Sequence, residues 1–137
     1  MTEFKVGYLV GSLATNSINR LLATALVRVA PPELRLMEIP FKDLPLYSYD
    51  FDQNYPPAAT AFKDAIAAVD AVLFVTPEYN RSIPGGLKNA IDWASRPYGK
   101  NAFTRNRQPS SERRRERSAR PSLSSISAAS WRSAIRR

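Results

Sequence analysis

Two polar segments of this sequence have the composition of ligand-binding loops. The first, residues 11–20, offers three hydroxyls, two carboxamides and a run of backbone N–H groups just before a predicted helix. N–H groups at a helix N-terminus and the helix dipole both favour an anion. Helix capping accounts for one or two of these side chains, but not for five. The composition therefore predicts a phosphate-binding loop, although it contains neither a Walker A motif nor a GxGxxG fingerprint.

The second segment, residues 76–93, combines stiffness with close backbone access. Pro77 and Pro84 restrict the chain, Gly85 and Gly86 allow another group to approach the backbone, and Tyr79 adds an aromatic face. A rigid segment rich in free peptide groups can present N–H and C=O groups to the edge of a flat heterocycle. A stiff turn without a ligand is the alternative, with the Trp that ends the segment simply buried.

The elements that position these loops follow from hydrophobic periodicity. Short apolar segments predict strands at Phe4–Val10, Leu34–Ile39 and Ala71–Thr76. Apolar positions at helical spacing predict three helices, each with an apolar stripe: Ile18, Leu21, Leu22, Ala25, Leu26 and Val29; Ala58, Phe62, Ala65, Ile66 and Val69; Leu87, Ala90, Ile91 and Ala94. The order βαβαβα predicts a parallel sheet with helices on both faces. Both polar segments then follow strands, at the sheet edge where open α/β folds bind ligands.

Composition narrows the possible chemistry. The 137 residues include no cysteine and no histidine, which excludes disulfide scaffolds, thiol nucleophiles, Ser-His-Asp catalysis and the commonest metal ligands. No apolar run reaches the ~20 residues of a membrane span, so we expect a soluble cytoplasmic protein that binds no membrane and no metal. The net charge of +8 resides in residues 101–137, where ten arginines stand against two glutamates, while residues 1–100 are neutral.

The two segments together resemble the NADPH-dependent FMN reductase family, which includes quinone, azo-dye and chromate reductases. The resemblance rests on Gly-Ser-Leu-Ala-Thr-Asn-Ser-Ile-Asn-Arg (11–20) and on Pro-Glu-Tyr-Asn-Arg-Ser-Ile-Pro-Gly-Gly-Leu-Lys-Asn-Ala-Ile-Asp-Trp (77–93), and it ends near residue 103. It implies a flavodoxin-like three-layer α/β/α fold with a parallel sheet. It also implies FMN as cofactor, NADPH or NADH as hydride donor, a quinone-like electron acceptor, and a homodimer or homotetramer.

The resemblance also implies which residues hold FMN. Those for the phosphate are Ser12, Thr15, Ser17, Ile18 and Asn19, and those for the isoalloxazine edge are Pro77, Glu78, Tyr79 and Asn80, with Ser82 nearby. Many family members have an arginine where this chain has Ala14, so one cation that would face the phosphate is missing here. No catalytic side chain is implied, because the flavin performs the chemistry.

The last part of the chain departs from the family. A flavodoxin-like sheet has five strands, whereas this sequence predicts about three and then an Arg/Ser-rich tail that we expect to be disordered. We therefore expect residues 1–104 to form the N-terminal portion of the domain and residues 105–137 to be a frameshift product. When the codons for residues 109–131 are read in a shifted frame, with the third base of each codon joined to the first two bases of the next, permitted codon choices encode VIGASPGAIGTAVSQQHLRSIL. That segment has the strand, Gly-rich loop and helix that the family requires, with a junction near Thr104 to Asn106.

Three functions remain open at this point. The first is a flavin-dependent NAD(P)H reductase impaired by its altered C-terminus, and the second is a non-catalytic flavin-binding remnant. The third, which we weigh lowest, is nucleic-acid binding by the basic tail; against it stand the absence of lysine and the single aromatic residue beyond Phe103, which is Trp131. Without a fourth strand, Ala71–Thr76 becomes an exposed apolar edge, which predicts marginal stability or aggregation.

Overall fold

The computed structural model of the chain describes residues 3–106 and confirms the predicted sheet. Strands β1 (Phe4–Val10), β2 (Leu34–Glu38) and β3 (Ala71–Val75) pair in parallel in the order β2-β1-β3. This is the beginning of the flavodoxin-like order 2-1-3-4-5. Residue 8 of β1 lies opposite Glu38 in β2, and Val10 lies opposite Val75 in β3, so the three carboxyl ends share one edge.

Helices cover both faces of the sheet. Helix α1 (Ile18–Val29) packs on one face against β1 and β3, whereas α2 (Pro57–Ala67) and α3 (Gly85–Ser95) pack against each other on the opposite side. Two short 3-10 helices, Tyr49–Gln53 and Ala102–Asn106, were not predicted from the sequence. The predicted three-layer arrangement is thus observed within the described residues.

The main core lies on the side of α2 and α3. Its largest fully buried side chains are Leu9, Ile66, Leu87 and Trp93. The opposite face has a much smaller buried cluster of Val10, Ala23 and Val75 beneath α1. Burial of these apolar side chains supplies most of the stabilising free energy.

Much of the predicted apolar stripe of α1 is exposed: Ile18 is 80% exposed, Leu21 70% and Val29 76%. The helix contacts the sheet instead through Ala23, which is buried, and Leu26, which is partly buried. Hydrophobic spacing identified the helix correctly, but it could not show that only part of the apolar surface of α1 contacts the sheet.

Several predictions fall outside the residues described here. They are the disordered tail, its binding to nucleic acid and the frameshifted segment, which were predicted for residues 105–137, of which residues 107–137 are not described. Residues 105 and 106 lie in the 3-10 helix Ala102–Asn106. The division of the chain between residues 104 and 105 also stays a prediction.

Candidate functional site

The two predicted ligand loops meet at the carboxyl ends of β1 and β3. The Gly11 N–H donates to the Val75 carbonyl at 2.8 Å, which extends the pairing of the two strands by one residue. A Cβ atom on residue 11 would lie 2.3 Å from Thr76 Oγ1 and 2.7 Å from Thr76 Cβ. Only glycine allows the first loop to lie this close to the second.

Two buried hydroxyls shape the first loop. Ser12 and Ser17 are 5% and 6% exposed and are the buried polar side chains among residues 3–106. Ser12 Oγ accepts a hydrogen bond from the Ala14 N–H, and Ser17 Oγ accepts one from the Arg20 N–H, both at 3.4 Å. Ser17 is therefore the N-cap of α1, as the capping interpretation allowed for one residue of the loop.

The remaining residues predicted for the phosphate are open to solvent to different degrees. Thr15 and Ile18 are exposed and Asn19 is partly buried. Ile18 and Asn19 form the start of α1, where backbone N–H groups have no carbonyl of the same helix to bind. The structure thus brings all five residues predicted for the phosphate into one loop and the helix start that follows it.

An ion pair that sequence reasoning missed ties this helix start to β2. Arg20 Nη1 donates to both Glu38 carboxylate oxygens, each at 3.0 Å. Both side chains are partly exposed, so the pair contributes modestly to stability. It nevertheless keeps the Arg20 guanidinium directed at β2. Nothing in the local sequence pattern around Arg20 identifies a partner 18 residues away.

The second loop is a tight two-residue hairpin. Tyr79 and Ser82 exchange both backbone hydrogen bonds, at 2.8 and 2.9 Å. The connecting residues Asn80 and Arg81 have φ angles of 50° and 61°, which is the pattern of a type I′ turn. The sequence predicted a stiff loop but not this turn, because Arg rarely adopts positive φ; Asn80, which tolerates it, was the available signal.

The hairpin displays the residues predicted for the heterocycle. Thr76 Oγ1 donates to the Pro77 carbonyl at 3.0 Å, which fixes the entry to the loop. Tyr79 is 50% exposed, and Glu78 and Asn80 are also exposed, as is Ser82. These exposed residues, including the Tyr79 ring, are thus accessible beside the first loop.

The start of α3 completes the concave end of the sheet. A Cβ atom on Gly86 would lie 3.3 Å from Leu13 Cδ1 and 3.7 Å from Phe41 Cε2. Residues of three separate segments therefore converge here, and a side chain at position 86 would require Leu13 to shift by a few tenths of an ångström. A Cβ atom on Gly85 would have no heavy atom within 4 Å, so other segments pack closely against Gly86 but not against Gly85.

Trp93 anchors the long connection between β2 and α2 to α3. Its side chain is fully buried, as the stiff-turn alternative for residues 76–93 predicted. Its Nε1–H donates to the Pro45 carbonyl at 2.7 Å. Asn89 accepts from the Tyr47 N–H at 2.8 Å and donates to the Pro45 carbonyl at 2.9 Å. The rings of Tyr47, Phe51 and Tyr55 surround the indole at 5.1 to 5.6 Å between centroids.

Three titratable groups near this anchor have shifted pKa values. Burial, and then the hydrogen bond to Asp52, raise the pKa of Tyr47. Burial, and then the nearby Asp52 carboxylate, raise the pKa of Tyr55 to about 12. Burial lowers the pKa of Lys63, whose ammonium group lies 5.0 Å from the centre of the Tyr55 ring. The Lys63 ammonium donates to the carbonyls of Arg96 and Lys100, so the cation holds the chain that follows α3 against α2.

Within residues 3–106, no helix is long and apolar enough to cross a membrane. The same residues include no group of three or more acidic side chains close enough together to hold a metal ion.

The fold and site together define a class of protein. The strand order β2-β1-β3, with two polar loops in contact after β1 and β3, is the arrangement in which flavodoxin-like proteins place a nucleotide ligand. Residues 4–108 match the family described as NADPH-dependent FMN reductase. The chain belongs to the NADPH-dependent FMN reductase family.

Curated relatives and a solved structure agree with this membership. A quinone reductase of Pseudomonas putida is 52% identical over 102 residues, which are 74% of this chain and 55% of the relative. A 2-hydroxy-1,4-benzoquinone reductase of a Burkholderia species is 50% identical over 99 residues, covering 72% of this chain and 54% of the relative. The flavoenzyme FerB, an NAD(P)H:(acceptor) oxidoreductase from Paracoccus denitrificans, superposes with a TM-score of 0.68 at 45% identity, over 72% of this chain and 54% of that one. The chain thus spans about half the length of the relatives it matches.

Proposed function

We propose that this chain binds FMN where its two loops meet and that the protein transfers electrons from NAD(P)H to a quinone-type acceptor. The observation that carries the proposal is the contact between Gly11 and Thr76, which joins the loops at the ends of neighbouring strands. The buried hydroxyls of Ser12 and Ser17 lie in the same loop. This is the β1/β3 position at which flavodoxin-like folds hold FMN.

The first loop suits the phosphate group. Ser17 satisfies the Arg20 N–H by capping, which leaves the N–H groups of Ile18 and Asn19 available to an anion at the helix start. The Arg20 guanidinium is already paired with Glu38, and position 14 is alanine. We therefore propose that dipoles and hydroxyls, including those of Ser12 and Thr15, hold the phosphate without a formal cation.

The second loop suits the ring system. The turn at Asn80 and Arg81 fixes the backbone of the hairpin, so that Pro77, Glu78 and Asn80 would face the isoalloxazine edge without a large ordering cost. Tyr79 and Ser82 bond each other through their backbones, which leaves the exposed Tyr79 ring and the Ser82 hydroxyl free to contact the cofactor.

When bound, FMN supplies hydride acceptance from NAD(P)H and electron release to the acceptor. The residues of this chain would bind the cofactor and orient it, while the accessible hairpin leaves one side of the site open. A quinone-type acceptor is proposed because relatives at 50% and 52% identity are named for quinone reduction. A homodimer or homotetramer is part of the proposal.

An FMN titration followed by flavin fluorescence tests the binding site. Thr15→Val and Asn19→Ala should each weaken binding about tenfold or more, because each loses a hydrogen bond to a charged group. Thr24→Val and Asn54→Ala remove the same chemical groups from exposed positions outside the loops and serve as matched controls. Equal effects in both pairs would contradict the assignment.

NAD(P)H oxidation with benzoquinone separates the enzyme from a non-catalytic binding protein. Saturable FMN binding together with acceptor-dependent NAD(P)H oxidation supports the reductase. FMN binding without turnover at any acceptor concentration would instead favour the flavin-binding remnant.

A further inference from the structure

Arg20 is the charged residue that lies nearest in sequence to the proposed phosphate site. It is the only charged residue between positions 11 and 27. Ser17 is the N-cap of α1, so Arg20 is the third residue of the helix, and its N–H donates to the Ser17 hydroxyl and carbonyl oxygens. Since side chains of a helix tilt toward its N-terminus, an Arg20 guanidinium without a partner would lie within reach of an anion bound there.

Glu38 holds this guanidinium. Arg20 Nη1 donates to both Glu38 carboxylate oxygens at 3.0 Å, so the two charges compensate each other. Glu38 is the last residue of β2 and pairs with Tyr8 of β1, three residues before Gly11, where the first loop begins. Three strand residues span about 10 Å. The carboxylate is therefore fixed near the edge of the sheet that carries the proposed site, at a distance over which charges still interact.

The environment of Tyr8 shows on which side of the sheet the ion pair lies. The Tyr8 side chain packs against the small buried cluster beneath α1. Burial, and then the Glu38 carboxylate, raise the pKa of Tyr8, whereas the Arg20 guanidinium lowers it. Both members of the pair are thus close to β1 on the α1 side, where the first loop leads into the helix.

We propose that Glu38 is a specificity-determining residue for the flavin: by retaining Arg20, it limits how strongly the first loop prefers a phosphorylated flavin over one without phosphate. This role rests on the proposed function, since it requires FMN with its phosphate at the start of α1. A phosphate monoester carries a charge of about −1.5 to −2 at pH 7. In the wild-type chain this charge would meet the helix dipole and the hydroxyls of the loop, together with a cation that Glu38 already neutralises.

The ion pair contributes little to the stability of the fold, which separates this role from a structural one. Both side chains are partly exposed, and exposed ion pairs stabilise proteins only weakly. Strand β2 is held to β1 by backbone pairing, which does not depend on the Glu38 carboxylate. Glu38→Gln keeps the size of the side chain and removes its charge, so the fold should be retained while Arg20 becomes available to the phosphate.

Titration of the full chain with FMN and with riboflavin tests this role, because the two flavins differ only by the phosphate. Glu38→Gln should increase the ratio of FMN affinity to riboflavin affinity about threefold or more at about 20 mM salt, and most of that gain should disappear at about 500 mM salt. The affinity for riboflavin itself should not change. A purely structural role of the ion pair would instead change the affinities for both flavins equally, which would overturn the proposal.

Asp92→Asn is the matched control. It releases Lys88 from an ion pair that is exposed to a similar degree, and it changes the net charge by the same amount as Glu38→Gln. Because Lys88 belongs to α3 and not to α1, this variant should keep the wild-type ratio of the two affinities. An equal rise of the ratio in both variants would overturn the proposal, since the net charge alone would then account for it. Far-UV circular dichroism of each variant checks that the fold is retained.

Arg20→Gln supplies a second test. It leaves the Glu38 charge uncompensated near the phosphate and should therefore lower the ratio, and Glu38→Gln should raise the ratio less in this background than in the wild-type chain. Equal effects of Glu38→Gln with and without Arg20 would overturn the proposal, because the effect would then not act through the guanidinium. An unchanged ratio in chains that bind FMN would overturn the role of Glu38 alone, whereas the absence of saturable FMN binding in every variant would overturn the proposed function as well.

Discussion

Gly11 and Thr76 lie so close together that a Cβ atom on residue 11 would stand 2.3 Å from the Thr76 hydroxyl oxygen. The two residues belong to different loops, and their contact is what makes one site of two polar segments. The absence of a side chain at position 11 is therefore a requirement of the site and of the fold.

Gly11→Ala should destabilise the chain by about 1–3 kcal/mol, because the added methyl group forces the loops apart. It should also weaken FMN binding, since both loops are proposed to contact the cofactor. Gly85→Ala is the matched control, because nothing lies within 4 Å of its added Cβ. Chemical denaturation and FMN titration of both variants provide the measurements; a Gly11→Ala variant as stable as Gly85→Ala would contradict the packing described here.

Trp93→Phe should cost about 2 kcal/mol of unfolding free energy. The change leaves a cavity in the core and removes the hydrogen bond from Nε1 to the Pro45 carbonyl, which measures 2.7 Å. Urea denaturation followed by far-UV circular dichroism measures the loss without relying on the deleted fluorophore. Tyr98→Ala, at a position 88% exposed, should stay within about 0.5 kcal/mol of wild type. Equal stabilities for the two variants would show that Trp93 does not anchor the connection.

Tyr55→Phe should reduce the loss of stability at alkaline pH. The pKa of Tyr55 is raised to about 12 in the folded state from the ordinary 10.0, so the folded chain holds the phenol proton more tightly than the unfolded chain does. The stabilisation is fully present below pH 10 and disappears as the pH rises from 10 toward 12. Urea midpoints at pH 9 and pH 11 should therefore differ more for wild type than for Tyr55→Phe. Tyr98→Phe, at an exposed position, should retain the wild-type difference.

The gene tests the frameshift interpretation of the tail. The third bases of codons 109–131 should be those that spell the strand, Gly-rich loop and helix in the shifted frame. Two bases of every shifted codon are already set by the protein sequence, apart from the second codon boxes of Ser, Arg and Leu. Third bases incompatible with that segment would contradict the interpretation.

The strands and the two loops could be predicted because each depends on local sequence. An apolar run such as Ala71–Val75 between polar turns has few alternatives to a buried strand, and loops that follow parallel strands share one edge. The helix boundaries were close for the same reason: Pro57 lies at the start of α2 and Pro84 immediately precedes α3.

Relationships between distant residues could not be predicted. The hydrogen bond from Trp93 to Pro45 joins residues 48 positions apart, and the ion pair of Arg20 with Glu38 joins residues 18 positions apart. Local periodicity carries no information about contacts over such sequence separations. The exposure of Ile18 and Val29 was missed because periodicity shows that a face is apolar but not what covers it. The type I′ turn was missed because Arg81 adopts a φ that glycine usually supplies.

A comparison of FMN with riboflavin tests the central claim most directly, because the two ligands differ only by the phosphate assigned to the first loop. We predict that the full chain quenches FMN fluorescence saturably and binds FMN at least about tenfold more tightly than riboflavin, a difference of about 1.4 kcal/mol. Equal affinities for the two flavins would contradict a phosphate site at the start of α1, and the absence of saturable quenching would contradict the proposed FMN site in this chain.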